Sequence, residues 1–386
     1  MLRFLLKGLT IVGLLSALAA CGERPPMQTK QSGYRGTGMA QVVNPRLASY
    51  LVAANQFPEA PYELPEADGE RAAQVYQNVL VLGDISAARF NRLMLAITQW
   101  VVPAAYINSE DGGGGCNYCH NPENLASDEK YTKVVARRML QMTAHVNRDY
   151  ASHVAATGVT CYTCHRGQPV PGAVWSPAAP ERERPMMASQ EGQNRPHAGN
   201  GFTALPYDPF EPYLAASPQA IRVQGTTRFP QPGPDATIRD TESTYGLMMH
   251  MSRALGVNCT FCHNSRAFAS WEQSNVQRTT AWHGLRMVSS LNADYILPLA
   301  PTWANNRQQW LVQYGGPRLG PTGAPLLVNC ATCHRGLNKP LYGKSQLAEF
   351  PSLALSATWP NLTALVATLP AGSTPPAGAE AAPARN

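Results

Sequence analysis

The sequence predicts a mainly α chain with extensive irregular coil, arranged as two pseudo-symmetric halves. Each half reads as helix, CxxCH motif, helix, CxxCH motif. Three observations lead there. Prolines number 33 and glycines 31 in 386 residues, about one position in six, so turns are many and long regular elements few. Strand-like alternation is hard to find, whereas helical apolar periodicity recurs ahead of the cysteine clusters. Eight of the nine cysteines fall in four CxxC pairs, each followed at once by a histidine.

The elements follow in chain order. "ISAARFNRLMLAITQWV" is a helix with Asp84 as its candidate cap and Leu93, Met94 and Ile97 on one face. "EKYTKVVARRMLQMTAHVNRDYASHVAA" reads as one continuous second helix, with Gly158 available to end it. "STYGLMMHMSRAL" is a third, stopped by Gly256, and "TTAWHGLRMVSSLNADYI" a fourth, stopped near Pro298. The motifs are of two kinds in alternation. Cys116 and Cys259 open "CNYCHN" and "CTFCHN", and Cys161 and Cys330 open "CYTCHRG" and "CATCHRG". We call these N-type and RG-type; their order marks an internal duplication. The halves are 71–167 and 241–345, joined by a proline-rich connection over 168–240 that reads as extended. Residues 346–386 form a C-terminal segment with a disordered tail.

The N-terminus "MLRFLLKGLTIVGLLSALAAC" has Arg3 and Lys7, an apolar run and small residues before Cys21. That is a secretory signal over 1–20, and "LAAC" resembles a bacterial lipobox. Cys21 is then the lipidated first residue of a lipid-anchored segment, 21–70. The run is shorter than the ~20 residues a membrane span requires, which disfavours a retained anchor. Either reading tethers the chain to a membrane and places the rest outside the cytoplasm.

Each CxxCH is the attachment signature of a c-type haem, with thioethers to both cysteines and the histidine on the iron. Disulfides, a zinc site or a thioredoxin-like pair would explain the cysteines but not a histidine in the same place four times. The expectation is a multihaem cytochrome c with four c-type haems. They attach through Cys116 and Cys119, Cys161 and Cys164, Cys259 and Cys262, and Cys330 and Cys333. Their axial histidines are His120, His165, His263 and His334. Formal charge is +6, but loss of Arg3 and Lys7 leaves 29 basic against 25 acidic residues. Eight haem propionates bring the holoprotein to roughly −4, so the basic composition argues for no nucleic-acid partner.

A second axial ligand closes such an iron, methionine or histidine being usual. Met94 is the one methionine between Met39 and Met139, hence the natural partner for the Cys116 haem. Met139 lies 22 residues before Cys161, with Met142 as rival, and Met248 lies 11 before Cys259, with Met249 and Met251 nearby. The fourth site has no methionine closer upstream than Met287, 43 residues from Cys330. His153 is unassigned. On a continuous helix it stands about 21 Å from Met139 and within about 40° of the same stripe. One helix can then ligate its own haem through Met139 and lend His153 to the Cys330 haem. His145 and His250 are weaker candidates, and His283 with Met287 is a local alternative.

Together these features resemble the tetrahaem cytochrome subunit of purple bacterial photosynthetic reaction centres, from about Arg71 to Tyr342. "VVARRML", "GVTCYTCHRG", "CTFCHN" and "LGVNC" carry the resemblance. It implies Met94, Met139 and Met248 as ligands on three haems and His153 on the fourth. The sequence departs from the family pattern at "AAYINSEDGGGG", 104–115, which lengthens the loop after Met94 and is expected to bulge outwards. The resemblance also implies a role. The subunit sits on the periplasmic face of the inner photosynthetic membrane and re-reduces the photo-oxidised bacteriochlorophyll pair of the core subunits. Its own electrons come from a soluble cytochrome or a high-potential iron–sulfur protein. This is electron transfer rather than catalysis; the competing class, a multihaem oxidoreductase, requires one haem with an open site.

Overall fold

Caps and helix-forming runs set the frame. The computed structural model describes residues 27–32, 39–177, 237–312, 316–354 and parts of 201–223. The leader with Cys21, most of the 168–240 connection and the tail beyond Ala354 lie outside the described residues.

An antiparallel pair opens the described chain: β1 (Gln28–Ser32) and β2 (Met39–Val43), with Thr29 opposite Val42. "QTKQS" and "MAQVV" are too short and too polar to give a periodic signal, so the sequence reading misses them. Helix α1 (Pro45–Ala54) starts at Asn44, whose side chain accepts the Arg46 N–H, with Pro45 at the first helical position. Helix α2 (Ala87–Val101) is capped by Ser86, not Asp84. The backbone before it is committed elsewhere: Ala72 N–H donates to the Ile85 carbonyl and Ala87 N–H to that of Glu70.

The second helix is not continuous. Helix α3 (Tyr131–Asp149) ends at Tyr150 (φ −114°, ψ 29°), a single turn follows at Ala151–Val154, and Ala155 turns left-handed at φ +52°. Asn147 forces the reversal. Its Oδ1 accepts the Val159 N–H at 2.7 Å and its Nδ2 donates to the Val159 carbonyl at 3.0 Å, which pins the returning chain across the end of α3. The straight-helix spacing of Met139 and His153 therefore does not hold. Helix α4 (Cys161–His165) follows.

Helix α5 (Ile238–Leu255) starts earlier than its apolar run, because Thr237 and Asp240 form a reciprocal capping box. Gly256 ends it at φ +64°. Helix α6 (Val276–Ser290) does not stop at Pro298. It loosens into a π-turn at Leu291–Ile296, and Pro298 lies in the next turn. The cause is Asn292, fully buried, which donates to the Leu214 and Val328 carbonyls and accepts the Val328 N–H. Helix α7 (Cys330–His334) carries the last motif.

Two apolar cores result. One joins Tyr118 and Val134 of the first half to Leu247, Leu291 and Leu327 of the second. The other packs Leu93 and Trp100 of α2 against Phe350 and Leu353. The end of the described chain thus returns to the first half. The Phe350 ring meets that of Trp100 at 4.6 Å, and buried Arg92 holds the Glu349 carboxylate at 3.1 Å. Residue 175 makes the opposite journey, pairing in both directions with Leu327 just before the fourth motif.

Candidate haem centres

Each motif type has its own backbone. In the N-type, cysteine opens a tight turn, and the His120 and His263 N–H groups donate to the Cys116 and Cys259 carbonyls at 3.0 and 2.9 Å. In the RG-type, the motif is the helix itself, α4 or α7. Left-handed Arg166 (φ 52°) and Arg335 (φ 50°) terminate these helices. The next N–H, of Gly167 or Gly336, donates to Trp100 in α2 or Ala254 in α5, both at 2.8 Å. Cys116 and Cys259 are exposed, whereas the cysteines of both RG motifs are half-buried.

The four motif histidines share one arrangement. Nδ1 of His120 and His263 faces the carbonyl five residues on, Leu125 at 2.9 Å and Phe268 at 3.0 Å. Nδ1 of His165 and His334 faces the carbonyl three residues on, Gln168 and Leu337, both at 2.8 Å. A carbonyl only accepts, so Nδ1 carries the proton and Nε2 presents a lone pair, the form a metal binds. Burial pushes His165 and His334 down to about 4, the neighbouring His153 adding to the effect at His334, which keeps both imidazoles neutral.

A fifth histidine follows the same rule. His153 Nδ1 faces the Thr280 carbonyl of α6 at 2.9 Å. Its ring centre stands 6.0 Å from that of His334, at 73° between planes. An imidazole–metal bond of about 2 Å places two ring centres roughly 6 Å apart across one metal ion, so this spacing has room for an iron between them. Gly284 makes the approach possible: a Cβ there would lie 2.5 Å from His153 Cε1. His145 differs, with Nδ1 on Asp149 Oδ2 (2.6 Å) and Nε2 facing Ser290 Oγ (3.4 Å). His250 is buried against the Phe210 ring, and His283 lies against Trp282.

A largely apolar cavity of about 570 Å³ runs between the halves, lined by His153, His165 and His334 and by cysteines of three motifs. Met139 and Met142 both line it; Met94 and Met248 lie outside. Met94, like Cys161 and Tyr162, packs against the α2 core, and Met248 against the larger core. The loop 104–115 does not simply bulge. Ala104–Ile107 is helical, residues 108–111 face solvent, and the chain folds back through left-handed Gly113, Gly114 and Gly115. Gly115 is buried where a Cβ would strike Thr98 Cγ2 at 2.5 Å, which ties the loop to the last turn of α2.

The RG motifs interlock. Arg166 donates to the Cys333 carbonyl at 3.3 Å and Arg335 to that of Cys164 at 3.4 Å, each reaching the opposite half. Gln346 completes the start of α4: its Oε1 accepts from Thr160 N–H, Thr160 Oγ1 and Thr163 Oγ1 at 3.0, 2.8 and 2.7 Å. At α7 the Ala173 carbonyl does the equivalent, accepting from Asn329 Nδ2 and Thr332 Oγ1. The sequence reading missed Gln346, Ala173 and Gly284. Only the polar pairs Thr160/Thr163 and Asn329/Thr332, three residues apart at a helix start, carried a local signal.

Cysteine pairs at a cavity wall, neutral imidazoles with Nε2 free and an apolar interior fit a porphyrin held covalently, and define the class as a c-type cytochrome. The model of the photosynthetic reaction centre cytochrome C subunit family matches residues 23–354. The chain is 48% identical to the photosynthetic reaction center cytochrome c subunit of Rubrivivax gelatinosus (strain NBRC 100245 / IL144), over 89% of this chain and 88% of that one. With the subunits of that name from Thermochromatium tepidum and Roseobacter denitrificans (strain ATCC 33942 / OCh 114) it shares 43% and 39% identity. Those matches cover 95% and 91% of this chain, and 84% and 92% of theirs. The chain belongs to the family of photosynthetic reaction centre cytochrome c subunits, electron carriers associated with the photosynthetic membrane. Among the described residues no helix is long and apolar enough to cross a membrane.

Proposed function

We propose that the chain carries four c-type haems and re-reduces the photo-oxidised bacteriochlorophyll pair of a reaction centre, drawing electrons from a soluble cytochrome or high-potential iron–sulfur protein. The haems attach through the eight motif cysteines in two pseudo-symmetric halves, 71–167 and 241–345. His120, His165, His263 and His334 would each hold one haem iron through Nε2. Met94, Met139 and Met248 would supply the second ligand at three of them, and His153 at the Cys330 haem. The observation that carries this reading is the His153–His334 pair: the motif with no methionine closely upstream in sequence faces a histidine from the other half, its Nδ1 already anchored.

Bound haem supplies reversible one-electron chemistry at iron. The protein's part is to keep that chemistry closed. Carbonyls orient each imidazole, apolar walls exclude water, and interlocked motifs limit rearrangement on a change of charge. Mixed methionine and histidine ligation would spread the haem potentials, and His153 with His334 would lower that of the Cys330 haem by ligand type. Cys21, lipidated, anchors the chain to the periplasmic face of the membrane; the connection 168–240 and the C-terminal segment 346–386 flank the second half.

Isolation from the membrane without added affinity tags tests the partner, because the haem protein should travel with bacteriochlorophyll-containing subunits. Carbon monoxide tests closure. Stoichiometric binding to the reduced native protein would remove the sealed-relay reading in favour of an open-site oxidoreductase.

A further inference from the structure

The first N-type site holds a buried ammonium group that haem attachment does not require. Lys133, in the first turn of α3, is 7% exposed. Its Nζ donates to the carbonyls of Leu125 (2.9 Å), Ala126 (2.8 Å) and Ser127 (2.8 Å) and lies 3.2 Å from Asp128 Oδ1. The Leu125 carbonyl is shared, since it also accepts the Nδ1–H of His120 at 2.9 Å. The third site is built differently: Arg278 reaches the Ala269 and Ser270 carbonyls, while His263 uses that of Phe268.

Charge around the shared carbonyl is not balanced. Asp128 also binds Arg137 at 2.9 Å, so one carboxylate faces two largely buried cations. Lys130, on the same stretch, holds the Asn117 carbonyl. A carbonyl already polarised by an ammonium is a weaker acceptor for a second donor. The imidazole it orients then keeps less imidazolate character and donates less to a metal on Nε2, which favours the reduced metal. The nearby positive charge acts in the same direction.

We propose that Lys133 is a positioning residue that raises the reduction potential of the Cys116 haem through the Leu125 carbonyl that orients His120. The proposal rests on the haem and ligand scheme above. It makes the first site tunable independently of the other three, because the lysine contacts no residue of their motifs.

The test is a potentiometric titration of the full-length holoprotein, with haem content measured by mass spectrometry. The midpoint of the Cys116 haem is identified by its absence from a C116A/C119A variant. Lys133→Met is expected to lower that midpoint and leave the other three in place, and Lys133→Arg to restore it. Four attached haems with unchanged midpoints in Lys133→Met, or equal shifts at all four, would overturn the proposal. Should Lys133→Met fail to load its haem, Lys133→Gln keeps a neutral donor for the loop, and an unshifted midpoint there would equally overturn it. A wild-type protein with fewer than four haems would instead fail the underlying haem scheme, before any variant is compared.

Discussion

Gly284 lacks a side chain where the imidazole of His153 needs the space, and this absence is testable without touching a ligand. An alanine Cβ would stand 2.5 Å from His153 Cε1 and 2.8 Å from Nδ1, closer than carbon and nitrogen tolerate. Under the proposed ligand scheme, Gly284→Ala displaces His153 from its place beside His334. Both it and His153→Ala are then expected to convert the Cys330 haem to a form that binds carbon monoxide, with the spectrum of the Cys161 haem unchanged. A perturbed Cys161 haem with an intact Cys330 haem would refute the assignment. The sequence reading pointed to His153 because it had no other job, yet derived its reach from a straight helix that does not exist. What brings His153 to His334 is the break at Tyr150, together with the Thr280 carbonyl on α6. Neither leaves a mark within a short window of sequence.

At the scale of elements, the five-residue helices α4 and α7 are too short to be stable alone and depend on what meets their first turn. For α4 that is Gln346, which is 1% exposed. Gln346→Leu keeps the bulk and removes the acceptor, leaving the buried Thr160 and Thr163 hydroxyls without the partner they share. Loss of stability of roughly 2–3 kcal/mol is expected, read from denaturant unfolding of the holoprotein. The Cys161 haem should respond spectroscopically before the other three. The helix positions were largely legible because amphipathic periodicity is local. Their ends were not. Ser86 replaces Asp84 as a cap because Ala72 and Glu70 bind the backbone on either side of it, and Asn292 opens α6 into a π-turn through bonds to Leu214 and Val328, all far away in sequence.

At the scale of the whole molecule, each RG site is completed by chain from outside its own half. Residues 346–353 serve the first half, Ala173 and Trp175 the second, and Arg166 and Arg335 cross between them. Because each arginine reaches a carbonyl of the opposite motif, their effects should not add. Arg166→Gln and Arg335→Gln are expected to show a coupling energy of about 0.5–2 kcal/mol in a double-mutant cycle of unfolding. Simple additivity would mean that the motifs are held apart from one another. The sequence by itself determined the family, the covalent mode of haem attachment and the mainly helical character. Each of these is written in contiguous residues: a cysteine pair with its histidine, or an apolar stripe of one turn's period. Only the tertiary structure decided what holds His153 in place, what completes the motif helices and where residues 346–353 pack. Those depend on groups more than a hundred residues apart, such as Gln346 and Thr160 or His153 and Thr280, and no local pattern specifies a contact that the folded chain alone brings together.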